Sequence, residues 1–182
     1  PPVEPPLEEF YTKARVNDDS PCWSQIEITL VNETAHPPRF DKTVTFRYYL
    51  DATELQAKGL KPSELTAKVI HNNYGEEPAV VSELKACTLN TSAYDFEFSY
   101  PYNFWGEQVW LKGPRVALVE FGVPNTSTCT YDMDNDWSAA PLTKETALSP
   151  SVPAYSEGLL VWGAEPECDE PPKVVLPPVV VR

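Results

Sequence analysis

The sequence has little of what most sites of well-understood chemistry require. It holds two histidines, His36 and His71, and four cysteines, Cys22, Cys87, Cys129 and Cys168, with no C-x-x-C pair. Structural zinc takes four Cys or His ligands in closely spaced pairs, so this inventory excludes an ordinary zinc site. Neither histidine lies near a Ser or Cys nucleophile signature, and no G-x-S-x-G elbow occurs; the common hydrolase arrangements are therefore missing. Positive charge is scarce: 14 basic residues face 27 acidic ones, a net charge of −13. Nucleic acids and anionic membrane surfaces are bound by clustered Lys and Arg, and no such cluster is present. No apolar run approaches the roughly 20 residues that span a bilayer. There is no internal repeat, and the single methionine is Met133, so no initiator stands at the start.

Hydrophobic residues, by contrast, make up 42% of the 182 and aromatics 12%. That is more than a solvated coil carries and enough for one domain with a sizeable core. Proline is abundant at 20 residues, four of them within residues 1–6 and five within 166–182. The ends read as extended proline-rich linkers, which leaves a folded module at 7–165 cut from a longer chain. The alternative is a mature secreted protein with two tails. The even cysteine count, the acidity and three glycosylation patterns (Asn32-Glu-Thr, Asn90-Thr-Ser, Asn125-Thr-Ser) favour an extracellular protein with up to two disulfides. Four cysteines allow three connectivities, and sequence does not choose among them.

Period-two alternation dominates the pattern. It runs through Gln25-Ile26-Glu27-Ile28-Thr29-Leu30, Thr43-Val44-Thr45-Phe46-Arg47-Tyr48 and Tyr94-Asp95-Phe96-Glu97-Phe98. Each of these predicts a strand with one buried and one solvated face. Weaker strand signals cover 9–16, 65–70, 108–111, 115–121 and 159–163. One short helix is predicted over 52–58, capped by Asp51 or Thr53 and ended by Gly59. Eight or nine short strands joined by polar and proline-containing loops mean an all-β sandwich. Residues 125–153 show little alternation and read as loop-rich, where function tends to lie.

Two features could carry binding. The run Tyr131-Asp132-Met133-Asp134-Asn135-Asp136-Trp137 is dense in oxygen donors, which suits a hard cation such as Ca²⁺; its plainer reading is an acidic surface turn. It lacks the glycine and closing glutamate of an EF-hand. Aromatics are the second feature. Sugar rings present C–H faces that stack on aromatic rings, and Tyr100, Tyr102, Trp105 and Trp110 cluster in the sequence. The outward positions Thr45, Arg47 and Tyr49 add a fork of donors and a ring, or alternatively form a cross-strand ladder against Glu27. With 27 carboxylates, a glycosidase-like acid pair has no discriminating value.

Four segments then carry a likeness in order along the chain. They are Leu7-Glu8-Glu9-Phe10-Tyr11-Thr12-Lys13-Ala14-Arg15-Val16-Asn17, Phe46-Arg47-Tyr48-Tyr49-Leu50-Asp51-Ala52-Thr53-Glu54-Leu55, Asn135-Asp136-Trp137-Ser138, and the closing Pro153-Ala154-Tyr155-Ser156-Glu157-Gly158-Leu159-Leu160-Val161-Trp162-Gly163-Ala164-Glu165-Pro166. Together they resemble the family-three carbohydrate-binding modules, especially the subgroup fused to family-nine glycoside hydrolases (endoglucanases). The resemblance implies a nine-stranded jelly-roll β-sandwich with one short helix and no catalytic activity of its own. It implies one structural Ca²⁺ held by Asp51, Thr53 or Glu54, and then Asp132, Asn135 and Asp136, and so favours metal over a bare acidic turn.

Members that grip crystalline cellulose use a flat row that includes an Arg and a Trp. The corresponding residues 119–128 contain neither, which fits the hydrolase-fused subgroup that guides single glucan chains to a neighbouring catalytic cleft. The family's opposite face is a shallow groove, where Arg47, Tyr49 and Trp137 match, with Asn17 and Glu27 placed beside them. Such a groove would suit a glucan chain or a linker peptide. The four cysteines and the divergent stretch 71–112 depart from the family pattern. The expected function is thus a secreted, non-catalytic module that binds cellulose or a related β-glucan, with a hydrolase domain upstream in the same chain. The competing readings are a protein-interaction sandwich that packs on a neighbouring domain, and a stand-alone hydrolase.

Overall fold

Alternation along the chain becomes two packed sheets. The computed structural model describes residues 10–32, 43–73, 79–99, 114–123, 129–169 and 177–179. The strands are β1 (Phe10–Ser20), β2 (Trp23–Asn32), β3 (Thr43–Asp51), β4 (Thr66–Asn72), β5 (Val80–Val81), β6 (Lys85–Ala86), β7 (Thr91–Ser99), β8 (Arg115–Gly122), β9 (Ala147–Leu148), β10 (Ala154–Ser156) and β11 (Leu159–Trp162). The helix α1 (Thr53–Ala57) follows β3. The first sheet has the order β4-β8-β2-β1-β9; the second runs β11-β10-β3-β7-β5, with β6 also on β7. Every pairing is antiparallel.

The all-β sandwich is as expected, but the described residues hold eleven strands rather than nine. Three of them, β5, β6 and β9, are only two residues long, too short for alternation to register in a sequence. The expected strand at 108–111 lies outside the described residues. β1 runs on to Ser20 because Asn17 is accommodated as a bulge: Val16 pairs with Ile26 and Asp18 with Gln25, and the ladder then resumes. The helix is found, ended by Gly59 at φ +77°. Its N-cap is neither Asp51 nor Thr53 but Ala52, which cannot cap. Asp51, one residue earlier, accepts the Thr53 N–H at 2.8 Å instead.

Inward side chains from both sheets meet in one core: Ile26, Ile28, Leu30, Val119 and Phe121 from the first, Val44, Phe46, Tyr48, Phe96 and Phe98 from the second. Phe121 is its hub. It stacks on Tyr48 at 4.5 Å and approaches Tyr94, Phe96 and Tyr131 within 6.4 Å. The cysteines pair as Cys22–Cys129 and Cys87–Cys168, each with a Cα separation of 4.5 Å. The first ties the β1–β2 turn to the late acidic loop. Of the glycosylation patterns, Asn32 is buried, Asn90 is exposed in the turn before β7, and Asn125 lies outside the described residues.

Truncating the hub removes contacts on both sheets at once. Phe121→Ala should cost about 3–5 kcal/mol in denaturant unfolding. Val80→Ala, at a site 63% exposed, should change stability by less than about 0.5 kcal/mol.

Candidate functional site

The predicted residues fall into three places. The first is an acidic junction where the end of β3 meets the loop 129–139. Asp136 is wholly buried. Its Oδ1 accepts the Asp51 N–H at 2.7 Å, and its Oδ2 accepts the Tyr48 hydroxyl at 2.6 Å and the Tyr131 hydroxyl. Glu54, at the start of α1, accepts the Asp132 N–H (2.9 Å) and the Asn135 side-chain amide (2.8 Å). Asp132 closes its own turn by accepting the Asp134 N–H. Asp51, Glu54, Asp132, Asn135 and Asp136 thus lie at one junction, with Thr53 exposed beside them.

Burial pushes the Asp136 carboxyl well up, and the hydrogen bonds from Tyr131, Tyr48 and Asp51 oppose that shift. No Lys or Arg among the described residues pairs with it. As chemistry the donor set fits a hard cation, being all oxygen and uncompensated in charge. Its hydrogen bonds, however, run between the two segments rather than to a common centre. Among the described residues, no three acidic, His or Cys side chains are grouped closely enough to form a ready-made cage.

The second place is the outer face of the second sheet. Arg47 forms a two-pronged pair with Asp95 (2.5 and 3.1 Å) and donates to the Tyr155 hydroxyl at 3.2 Å, with its guanidinium 4.4 Å above the Tyr155 ring. Lys85 reaches the same Asp95 at 2.5 Å. Burial would raise the Asp95 carboxyl, but the hydrogen bonds and charges of Arg47 and Lys85 prevail and hold it below the usual carboxylate range. Trp137 stands edge-on to Tyr49, with centroids 5.5 Å apart. Arg47, Tyr49 and Trp137 do share one face.

Asn17 and Glu27 do not join them. They lie on the outer face of the first sheet, on the other side of the sandwich, because β3 is flanked by β10 and β7 and never by β2. The expected ladder between Arg47 and Glu27 is likewise absent: Arg47 pairs with Asp95, and Glu27 with Arg15 at 3.0 Å.

That first-sheet face is the third place, and sequence reasoning saw only part of it. Lys68, Glu120, Gln25 and Asn17 form a row across β4, β8, β2 and β1. They are linked at 3.2 Å (Lys68–Glu120), 2.8 Å (Gln25–Glu120) and 2.7 Å (Asn17–Gln25). Register explains the row: Lys68 and Gln25 both stand opposite Glu120, and the β1 bulge turns Asn17 toward Gln25. The Arg15–Glu27 pair lies one step along the strands. Trp23, at the start of β2 on the same face, is 46% exposed. The outward position of Gln25 was readable from alternation, whereas Lys68 and Glu120 lie in strands with weaker signals; the alignment of all three in one row depends on strand order and was not readable.

Comparison with known proteins accounts for this architecture. The chain is 26% identical over 167 residues to endoglucanase A of Bacillus pumilus, and 27% identical over 170 residues to endoglucanase 4 of a Bacillus species. Those matches take in 92% and 91% of this chain but only 25% of either relative, so the chain spans about a quarter of their length. Among solved structures, endoglucanase CelQ of Clostridium thermocellum complexed with cellotriose superposes with a TM-score of 0.74 at 22% identity, covering 90% of this chain and 27% of that one. A scaffoldin family 3b carbohydrate-binding module of Bacteroides cellulosolvens gives 0.66 at 13% identity over 87% of this chain and 97% of its own. At such identities the structures speak for the fold alone. The family model described as a cellulose binding domain matches residues 11–163, nearly the whole sandwich, and the chain belongs to that family of non-catalytic carbohydrate-binding modules.

Proposed function

We propose that this module is the accessory domain of a secreted cellulase, that it takes single β-glucan chains rather than crystalline cellulose, and that it passes them to a catalytic domain in the same chain. The polar row on the first sheet carries this reading. Adjacent strands are about 4.8 Å apart, so the row sets hydrogen-bonding groups at a near-regular interval along a flat face. Glucosyl hydroxyls along one extended chain could meet Asn17, Gln25, Glu120 and Lys68 in turn. Trp23 offers a ring for a pyranose face at the margin. A crystalline surface calls for a flat row of rings, whereas Trp23 is the only strongly exposed aromatic among the described residues. The absence of Arg and Trp from residues 119–128 points the same way. Supporting the secreted setting are the two disulfides, which persist in oxidising compartments. The larger size of the endoglucanase relatives supports a hydrolase partner in the same chain.

Adsorption should therefore be stronger on amorphous than on microcrystalline cellulose. Replacing both Asn17 and Gln25 by Ala removes two hydrogen-bonding groups worth about 0.5–1.5 kcal/mol each. Affinity for amorphous cellulose, read from adsorption isotherms, should then fall about fivefold or more. Preference for the microcrystalline form, or unchanged binding by the double variant, would overturn the proposal.

The same proposal includes a structural Ca²⁺ at the acidic junction, held by Asp51, Thr53 or Glu54, Asp132, Asn135 and Asp136. Bound there, the ion would supply positive charge to offset carboxylates that otherwise repel. Protein groups do the rest: Tyr48 and Tyr131 orient Asp136, and Glu54 fastens the acidic loop to α1. A ligand present at a hundred times its dissociation constant adds about 2.7 kcal/mol. In a domain of this size each kcal/mol moves the midpoint by about 2–4 °C. Millimolar Ca²⁺ should thus raise Tm by several degrees over chelator-treated protein, and Glu54→Gln should shrink the difference. Identical melting with Ca²⁺ and with chelator would rule the ion out.

A further inference from the structure

Tyr49 and Tyr155 point away from the core on the outer face of the second sheet, yet they are only 2% and 5% exposed. An outward side chain in mid-sheet is buried that deeply only when something lies over it. Trp137, Cys87 and Ala93 pack on Tyr49, Arg47 lies over the Tyr155 ring, and Glu165 and Cys168 of the chain beyond β11 line the same pocket. Gly163 turns with φ +88°, and a Cβ there would stand 2.8 Å from the Pro150 carbonyl oxygen and 2.9 Å from Pro153 Cα; glycine is required at this exit. Ala164 N–H donates to that same Pro150 carbonyl at 2.9 Å. The chain then runs without regular structure to Cys168, which is bonded to Cys87, and Asp169 N–H donates to the Cys87 carbonyl at 2.8 Å.

These two anchors stand at opposite sides of the sheet. β11 is one edge, whereas Cys87 follows β6, on the far side of β7. Six residues, from Trp162 to Cys168, reach about 20 Å when fully extended. The four strand spacings from β11 to β6 amount to about 19 Å. Residues 163–169 therefore run in an extended path from the β11 side of the sheet to the β6 side. Glu165 and Cys168 of this segment, with Arg47, Tyr49, Lys85 and Ala93 of the sheet, line a half-open pocket of about 160 Å³. Charge favours the contact too, since Glu165 shares that pocket with Arg47 and Lys85.

We propose that residues 163–169 form a disulfide-latched strap that closes the outer face of the second sheet, and that a β-glucan chain reaches Arg47, Tyr49, Tyr155 and Trp137 only when the Cys87–Cys168 bond is open. This rests on the reading of the module as a glucan binder. The face under the strap has what a sugar needs: phenol and indole rings for pyranose C–H faces, and a guanidinium for hydroxyls. Cys168 is exposed and Cys87 buried, so an added thiolate attacks the Cys168 sulfur and the Cys87 thiolate leaves. A second thiol resolves the mixed disulfide. In balance, two thiols become one disulfide and both cysteines end as thiols.

The test compares the parent protein with the Cys87→Ala/Cys168→Ala double variant. It also includes parent opened by limiting thiol, with peptide mapping to confirm that Cys22–Cys129 is intact, in case the variant folds poorly. Amide hydrogen exchange over 164–169 should rise at least tenfold on opening, and the adsorption constant on amorphous cellulose about fivefold. Arg47→Gln should abolish that gain in the open form. Unaltered exchange on opening overturns the strap, and so does faster exchange without any gain in adsorption. A parent that does not adsorb, beside an open form that does, supports the strap and refutes the first-sheet binding row.

Discussion

The buried carboxylate of Asp136 joins parts of the molecule that share no strand pairing. Burying it costs several kcal/mol before compensation, and three donors offset that cost: the Asp51 amide and the hydroxyls of Tyr48 and Tyr131. Burial also raises both tyrosines' pKa values, which keeps their hydroxyls protonated and therefore able to donate. Two residues on, Ser138 Oγ accepts the Tyr49 N–H and donates to the Ser151 carbonyl, while Ser151 Oγ donates back to the Ser138 carbonyl. A long segment with almost no regular structure is thereby sewn to the end of β3. Trp137 sits between Asp136 and Ser138, so the position of its ring over Tyr49 follows from this stitching rather than from any contact of its own.

A consequence is that the two faces of the sandwich have different fates. On the first sheet the outward side chains satisfy one another along rows and stay open to solvent, as alternation requires of a half-buried sheet. On the second sheet the alternation of β3 fails at one position: Tyr48, Tyr49 and Leu50 are all buried. Tyr49 can be buried on the outer side because Cys87, Ala93 and Trp137 form a second, smaller apolar cluster with it there. The sandwich thus has a third partial layer on one side and none on the other.

Strand positions were legible wherever alternation ran for five residues or more, as in β2, β3 and β7, because a period of two leaves few other structures available. The acidic junction was legible only through the family resemblance, since the run 131–137 taken by itself reads as an acidic surface turn. The binding groups were harder to read. Asn17 and Glu27 look as suitable for a groove with Arg47 as for a face of their own, since outward polar residues carry no mark of the sheet to which they belong. Only strand order separates them, and strand order is a long-range property that no local pattern records. The disulfide pairing was undetermined for the same reason. The two-residue strands were invisible because they are defined by their neighbours and not by their own composition.

Proline is ambiguous for a different reason. Density of proline reads as a linker because it cannot complete a ladder, having no N–H to donate. A segment that crosses strands instead of pairing with one needs no ladder, and an extended backbone suits it well. Pro166 lies in such a stretch, between Ala164, fastened to Pro150, and Cys168, fastened to Cys87. One of the acidic residues around it, Glu165, lines a pocket together with Arg47 and Lys85. Composition alone cannot separate a tether that leaves the domain from a strap that lies on it; a cysteine at the far end, whose partner is internal to the fold, does.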